Sequence, residues 1–372
     1  MSAPRVALCL PGGGATGAMY QIGALAALED SVEGLDANRF DLYLGTSSGA
    51  SVAAALAGGS PAQRMYRAFL DPADTYFPLE RRHLLRTDVA EWRRAITTAL
   101  RALAHGGRSL VNKSAAATPA ALWEELDRLH DSLPAGLFSL DGYERFLADF
   151  FYRRSLPNTF HSMPRELLIL SHDLDSGEQV LFGAPGFEHV PVSRAAVASM
   201  ALPPFFSPVR IGDRHYIDAG AAQLAQLDVA AQRGADVLVV VSPMVPVQAD
   251  VVPTGHGERK SVRDKGYLWV ANQGMRIAMH ALLRERVARL EREGSCQVIL
   301  IEPEPTDGVF FMHHPASFAA RRKVLEYAYR TTRERVGRWL VDGEVDRAGW
   351  RPRPPPSRLP PPPLPSEAPN AG

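Results

Sequence analysis

Twice before residue 60 the chain runs from an apolar strand pattern through a glycine turn into a helical pattern, and no other feature restricts its fold as much. Arg5 to Leu10 is apolar after its first residue, stops at Pro11 and meets Gly12-Gly13-Gly14. Ala18, Ile22, Leu25 and Leu28 then recur at helical spacing, which predicts a helix over Gly17 to Asp30. Phe40 to Leu44 runs into Gly45, and the small-residue segment Ala50 to Gly58 predicts a second helix that can pack tightly. A third apolar run, Ala235 to Val241, ends at Ser242-Pro243. Short, uninterrupted apolar runs suit strands of a parallel sheet covered on both faces. Strand, glycine turn, helix, strand is a β-α-β unit, which is right-handed by strong preference.

The second turn carries chemistry. Gly45-Thr46-Ser47-Ser48-Gly49 fits G-x-S-x-G with a strand before it and a helix after it, the context that exposes a serine hydroxyl at the end of a strand. Ser47 is the nucleophile that this spacing selects, and Ser48 reads as a helix N-cap. The first turn, Gly12-Gly13-Gly14-Ala15-Thr16-Gly17, matches G-x-G-x-x-G. A dinucleotide site would need an acidic residue at the end of the second strand. Asp36 falls before that strand, and the strand itself ends in Gly45-Thr46-Ser47. Beside a serine elbow the glycine loop has another use, because backbone N–H groups at a helix N-terminus can hold an oxyanion. Both loops follow strands of one β-α-β unit and open at the same carboxyl edge. For a base, His172, His189, His215, His256, His280, His313 and His314 all lie downstream, and none sits in a motif.

The rest of the chain is read more coarsely. Residues 61–160 are rich in Arg and Leu, with Val89, Trp92, Ile96 and Leu103 on one helical face and Arg93, Arg94 and Arg101 away from it. A second amphipathic stretch at 140–153 holds Phe146, Phe150 and Phe151. The region is expected to be a helical insertion that could roof a site; its amphipathic stretches read as ordinary packing helices or, alternatively, as a membrane-facing lid. Leu167 to Phe182 reads as a hairpin turning at Asp175-Ser176-Gly177, and residues 193–200 as a short helix stopped by Pro203-Pro204. Residues 205–218 read as a short strand pair around Gly212-Asp213. Residues 266–293 and 317–341 have long helical patterns, and 351–372 hold ten prolines, which points to a disordered or polyproline II tail.

The ordered set of motifs resembles the bacterial patatin-like phospholipases: a glycine loop near the N-terminus, G-x-S-x-G some thirty residues later, and a distant Asp-Gly-type motif. Here the third element is Asp218-Ala219-Gly220, preceded by Tyr216-Ile217. Leu170 to Phe182 resembles the family's Asp-containing hairpin, and Ser199-Met200-Ala201-Leu202-Pro203 its Ser-x-x-x-Pro segment. The resemblance spans roughly residues 5–245. It implies a three-layer α/β/α fold with a mainly parallel central sheet and an α-helical insertion. It also implies a dyad in which Ser47 attacks an ester and Asp218 serves as base, with Gly12, Gly13, Gly14, Ala15, Thr16 and Gly17 as oxyanion loop. Gly45, Thr46, Ser48 and Gly49 would form the elbow, and Ala219 and Gly220 the aspartate motif. Thr16 stands where the family usually has Arg or Lys, and Ala219 where it usually has Gly.

Three regions are expected: a catalytic α/β domain over 1–245 with an insertion at 61–160, a helical extension over 246–345 packed on it, and a Pro-rich tail over 346–372. The predicted function is lipid acyl-ester hydrolysis of phospholipase A or lysophospholipase type. A catalytically impaired lipid-binding protein of the same fold is the alternative, motivated by Thr16 and Ala219; a Rossmann nucleotide-binding protein is a third reading. No cofactor and no metal are expected, since no His/Cys cluster has ligand spacing. The 41 basic and 41 acidic residues leave no excess charge to neutralise phosphates, so nucleic acid is not an expected partner. Partners would be the lipid substrate and, transiently, a membrane surface met by apolar and Arg-bearing helices. The longest apolar stretch, Val237 to Val247, holds two prolines and is too short to span a bilayer, and no signal-peptide pattern opens the chain. With only Cys9 and Cys296, a reducing compartment is expected, hence a cytoplasmic protein peripheral to the membrane.

Overall fold

The computed structural model describes residues 4–71, 73–98, 100, 133–248, 261–306, 319–343, 345 and 348–354. The chain opens with β1 (Val6–Leu10), α1 (Gly14–Ser31), β2 (Leu42–Thr46), α2 (Ser48–Ala57) and α3 (Ala62–Leu70). A short α4 (Arg81–Leu84) precedes β3 (Arg86–Thr87), and β4 (Phe138–Ser139) pairs with β3 as a small separate ribbon. Then come α5 (Asp141–Arg153), β5 (Glu166–Asp173), β6 (Gln179–Phe182), α6 (Val192–Met200), β7 (Val209–Ile211), β8 (Arg214–Ile217), α7 (Ala225–Gln232) and β9 (Val237–Val241). The chain continues with α8 (Tyr267–Glu293), β10 (Gln297–Ile301) and α9 (Arg321–Asp342).

The main sheet runs β10-β9-β1-β2-β5-β8-β7, with β6 paired to β5 off that path. The pairs from β10 through β5 are parallel, and β6, β7 and β8 join as antiparallel partners. Both faces are covered, and the strands show why the chain needed continuous apolar runs. Leu8 and Leu10 of β1 enter the core on one face, while Ala7 and Cys9 enter the core on the other. Val237, Val239 and Val241 alternate with Leu238 and Val240 in the same way. The result is the three-layer, mostly parallel arrangement that the sequence predicts.

Element boundaries shift for identifiable reasons. The second strand begins at Leu42 rather than Phe40, because the Asp41 carboxylate accepts the Val6 N–H and the Tyr43 hydroxyl accepts the Phe40 N–H. It then runs through Gly45, which pairs with Leu10. The first helix starts at Gly14, inside the glycine run, rather than at Gly17. The hairpin and the strand pair around Gly212 form where the sequence places them.

Among the described residues beyond 245, β10 belongs to the main sheet. β10 pairs with β9, α8 covers one face through Met279, Leu283 and Leu290, and α9 lies against α1 on the other. There the Tyr20 and Tyr327 rings sit 6.4 Å apart, and the Tyr329 hydroxyl donates to Asp30 at 2.6 Å. The strand Gln297–Ile301 was not among the elements the sequence pattern suggested.

Within 61–160, α5 packs against the segment around Phe77 and against α2. Phe146 and Phe150 meet Phe77 edge-on at 4.9 and 4.7 Å, and the Tyr143 hydroxyl donates to Ser51 Oγ at 3.0 Å. Residues 89–98 are helical. Leu103 of the predicted helical face and Arg101 away from it, the histidines at 256, 313 and 314, and residues 355–372 of the Pro-rich tail lie outside the described residues. No helix among the described residues is long and apolar enough to cross a membrane.

Candidate active site

Ser47 is the hinge between β2 and α2. Its φ of 53° and ψ of −131° place a non-glycine residue in a region L-residues avoid, a strain of about 1–3 kcal/mol that the surrounding structure must hold. The hold is visible. The Ser47 N–H donates to Ser199 Oγ at 2.8 Å, and the fully buried Ser199 hydroxyl donates onward to Leu170 O at 2.5 Å. The flanking glycines let α2 sit directly on the sheet. A Cβ on Gly49 would stand 2.1 Å from Leu10 O, and one on Gly45 would stand 2.6 Å from Ala50 Cα. Thr46, Ser48 and Gly49 are buried, and within the elbow turn Ser47 is the one of these four that is partly accessible.

The helix begins at Ser48, so Ser48 is not its N-cap; Ser47 occupies that position and makes no side-chain cap bond. The Ser48 hydroxyl has another task. It accepts the Gly13 N–H at 3.2 Å and so ties the glycine loop to the elbow.

Asp218 follows β8 and is 6% exposed. Its N–H donates to Ala201 O at 3.0 Å, its Oδ1 accepts the Gly220 N–H at 2.8 Å, and the Ser47 side chain is close enough to lower the pKa of its carboxyl. Burial pushes its pKa up to about 6, against the opposing pull of the Ser47 side chain and the Gly220 N–H. Such a carboxylate is a stronger base than a solvated one and remains ionised above neutrality. Ala219 carries no positive φ; Gly220 takes it, at 53°. The alanine in the aspartate motif therefore costs no backbone strain.

The glycine loop follows β1 at the same edge. Gly13, Gly14 and Ala15 are partly exposed, while Gly12, Thr16 and Gly17 are buried. The N-termini of α1 and α2 both lie at this edge, an arrangement that favours negative charge developing near Ser47. Pro243, just after β9, fills the space over the loop: a Cβ on Gly13 would meet Pro243 Cγ at 2.5 Å.

Of the histidines weighed as bases, His172 lies in β5 opposite Ile217, His215 pairs with Asp175 at 3.7 Å, and His280 pairs with Glu302 at 3.4 Å. The titratable group whose pKa the Ser47 side chain shifts is the Asp218 carboxyl.

Two supporting residues were missed. Gln21, fully buried in α1, donates to Pro11 O and to Val241 O, joining the loops after β1 and β9. Arg276, 3% exposed in α8, donates to Pro243 O at 3.1 Å and Val245 O at 3.0 Å, and burial pushes its pKa down to about 10. A signal for it existed. Arg276 falls on the stripe of Met279, Leu283, Val287 and Leu290, where a charge has to have a buried partner.

A family model described as patatin-like phospholipase matches residues 8–230. No curated protein matches the chain. Among solved structures, the type III effector ExoU of Pseudomonas aeruginosa matches 91% of this chain and 53% of its own at 14% identity and a TM-score of 0.36. VipD from Legionella pneumophila matches 90% of this chain and 66% of its own at 13% identity and a TM-score of 0.33. Human GIVD cytosolic phospholipase A2, solved with methyl gamma-linolenyl fluorophosphonate, matches 93% and 60% at 12% identity and a TM-score of 0.31. The chain thus spans between 53% and 66% of the length of these structures.

Proposed function

The chain belongs to the patatin-like phospholipase family, and from that premise we propose that it is a serine lipid acyl hydrolase of phospholipase A or lysophospholipase type acting through Ser47 and Asp218. The observation that carries this reading is the buried Asp218 carboxyl beside the Ser47 side chain, with a pKa raised to about 6. Asp218 takes the hydroxyl proton as Ser47 Oγ attacks the acyl carbonyl. The carbonyl oxygen becomes an oxyanion beside the loop of Gly13, Gly14 and Ala15, where backbone donors typically contribute about 10²–10³ in rate. The tetrahedral species collapses, the alcohol leaves with the proton from Asp218, and the acyl group stays on Ser47. Asp218 then deprotonates a water, which releases the fatty acid and restores the serine.

The lipid would be met at a membrane surface rather than drawn through one. The test is labelling with a fluorophosphonate ester, read by intact mass, for the wild type, Ser47→Ala and Asp218→Asn. One adduct on the wild type and none on either variant supports the dyad. A folded wild type that stays unlabelled overturns turnover at this site and leaves lipid binding without hydrolysis.

A further inference from the structure

Helical residues 89–98 and residue 100 present their apolar stripe outward. Val89, Ile96 and Leu100 fall on one helical face, yet they are 73%, 56% and 62% exposed, while Ala95 on the opposite side is buried. A helix that belongs to a core turns that stripe inward. The surrounding charge is basic in balance: residues 80–98 hold five arginines and three carboxylates, with Arg82 paired to Glu80 and Arg94 to Glu91, in a chain whose formal net charge is zero.

The position of this ledge follows from one side-chain and two backbone hydrogen bonds. Trp92 Nε1 donates to Leu137 O at 3.4 Å, and Leu137 N donates to the carbonyls of Pro204 and Phe205. That loop follows α6, next to Ala201, whose carbonyl accepts the Asp218 N–H. The ledge therefore borders the carboxyl edge of the sheet on the Asp218 side.

A second apolar step borders the same edge on the Pro243 side. Arg276 and Gln273 of α8 hold the loop after β9, and Tyr267 lies nine residues toward the helix start, about 13 Å further out along the axis. Tyr267 is 74% exposed, Leu268 and Val270 are exposed beside it, and Lys265 lies over the Trp269 ring at 3.9 Å. Tyr, Trp and a basic residue at one helix end make up the composition of a water–lipid boundary.

We propose that the carboxyl edge of the sheet docks on an anionic phospholipid surface through these two ledges, the 89–100 stripe with its arginines and the 267–270 tip. The proposal rests on the reading of Ser47 as the lipid-hydrolysing serine, because docking this edge brings that residue to the lipid. The occupant is a membrane rather than a folded partner on two grounds: the excess of arginines fits an anionic surface, and the aliphatic positions form a narrow stripe rather than a pocket.

The test is flotation of the full chain, as Ser47→Ala so that no lipid is consumed, with vesicles of phosphatidylcholine alone or with phosphatidylglycerol. Binding should favour the anionic vesicles and weaken with salt. Arg86→Glu with Arg93→Glu should weaken it by about fivefold per arginine or more. Val89→Ser with Ile96→Ser, and separately Tyr267→Ser with Leu268→Ser, should each weaken it at least fivefold while thermal melts stay unchanged, since all four side chains are exposed. A protein that does not float, or variants that float as well as the parent, overturn the proposal. So does a concentration-dependent dimer in sedimentation that the same substitutions abolish, since a second copy would then cover the face. Wild type that floats but does not hydrolyse lipid refutes the reading of Ser47 and leaves the docking surface standing. Wild type that cleaves a monomeric short-chain ester but does not float refutes the docking surface alone.

Discussion

The Ser199 hydroxyl stands between Ser47 and the sheet, accepting the Ser47 N–H at 2.8 Å and donating to Leu170 O. It holds the serine at the end of β2 in a backbone conformation it would otherwise leave. Ser199→Ala deprives a buried carbonyl and the elbow N–H of their partner, at a cost of about 1–3 kcal/mol. The expected result is a lower denaturation midpoint together with slower fluorophosphonate labelling of Ser47. Labelling at the wild-type rate in the destabilised protein would show that the elbow keeps its geometry without Ser199.

Ester hydrolysis should rise with pH along a single ionisation near 6. Asp218 must be ionised to accept the Ser47 proton, and its folded value is about 6. Below that the carboxyl is protonated and the rate falls tenfold per pH unit. The measurement is kcat/KM between pH 4.5 and 8 on a monomeric ester, to keep lipid packing out of the profile. A profile flat down to pH 4.5 would contradict the buried-base reading.

The same burial makes Asp218 a burden on stability, with a definite pH window. Its folded pKa of about 6 lies above the ordinary 3.8, so the folded state holds the proton more tightly than the unfolded chain. Stability associated with this group is therefore full at low pH, declines as pH rises from about 4, and is lost once pH exceeds 6. The size is about 3 kcal/mol. Asp218→Asn keeps an oxygen for the Gly220 N–H and removes the charge. It should unfold at higher denaturant than wild type at pH 7.5, and the gain should vanish near pH 4. An equal gain at both pH values would assign it to something other than ionisation.

Gly13 is where the oxyanion loop meets Pro243. Its φ of 178° is open to any residue, so an alanine there meets a steric obstacle only: Pro243 Cγ at 2.5 Å and Gly17 Cα at 3.1 Å. Gly13→Ala should push the loop off its place and break the Gly13 N–H to Ser48 Oγ bond. A rate loss of about 10²–10³ is expected with little loss of fold. Pro243→Ala removes the nearest obstructing atom, so the double variant should recover part of the rate. A double-mutant cycle with no coupling would place the effect elsewhere.

The parts of this architecture that repeat locally were legible in the sequence. Strand periodicity, the two glycine turns and the distant aspartate motif each occupy a few contiguous residues, and their order in the chain restricts how they meet. The pairing of Asp218 with Ser47 came from the family resemblance, since no spacing in one sequence brings residues 171 positions apart into contact. The partners of Gln21 and Arg276 were illegible for a related reason, although the stripe of α8 marks Arg276 itself: each bonds backbone carbonyls of other segments, and a carbonyl has no identity in a sequence. The strand Gln297–Ile301 was passed over because four apolar residues after a long helix also suit a helix end.

Arg276 offers the sharpest check on whether the loop after β9 supports the site. Its guanidinium is buried and satisfied by the carbonyls of Pro243 and Val245 and by Asn272. Arg276→Met removes the charge and keeps most of the volume, but it leaves two carbonyls short of donors. Against this loss stands the relief of a desolvated cation, whose pKa burial lowers to about 10. The two terms oppose each other, so global stability should change by less than the roughly 3–5 kcal/mol typical of a broken buried ion pair. The catalytic effect has no such offset. Pro243 bears on Gly13 and Gly17, and once its carbonyl is released the loop loses the wall that sets its position. Fluorophosphonate labelling should slow by tenfold or more, and Arg276→Lys, with a donor but no fork, should recover only part of the rate. A variant that labels normally would show that Gln21 alone keeps the two loops together.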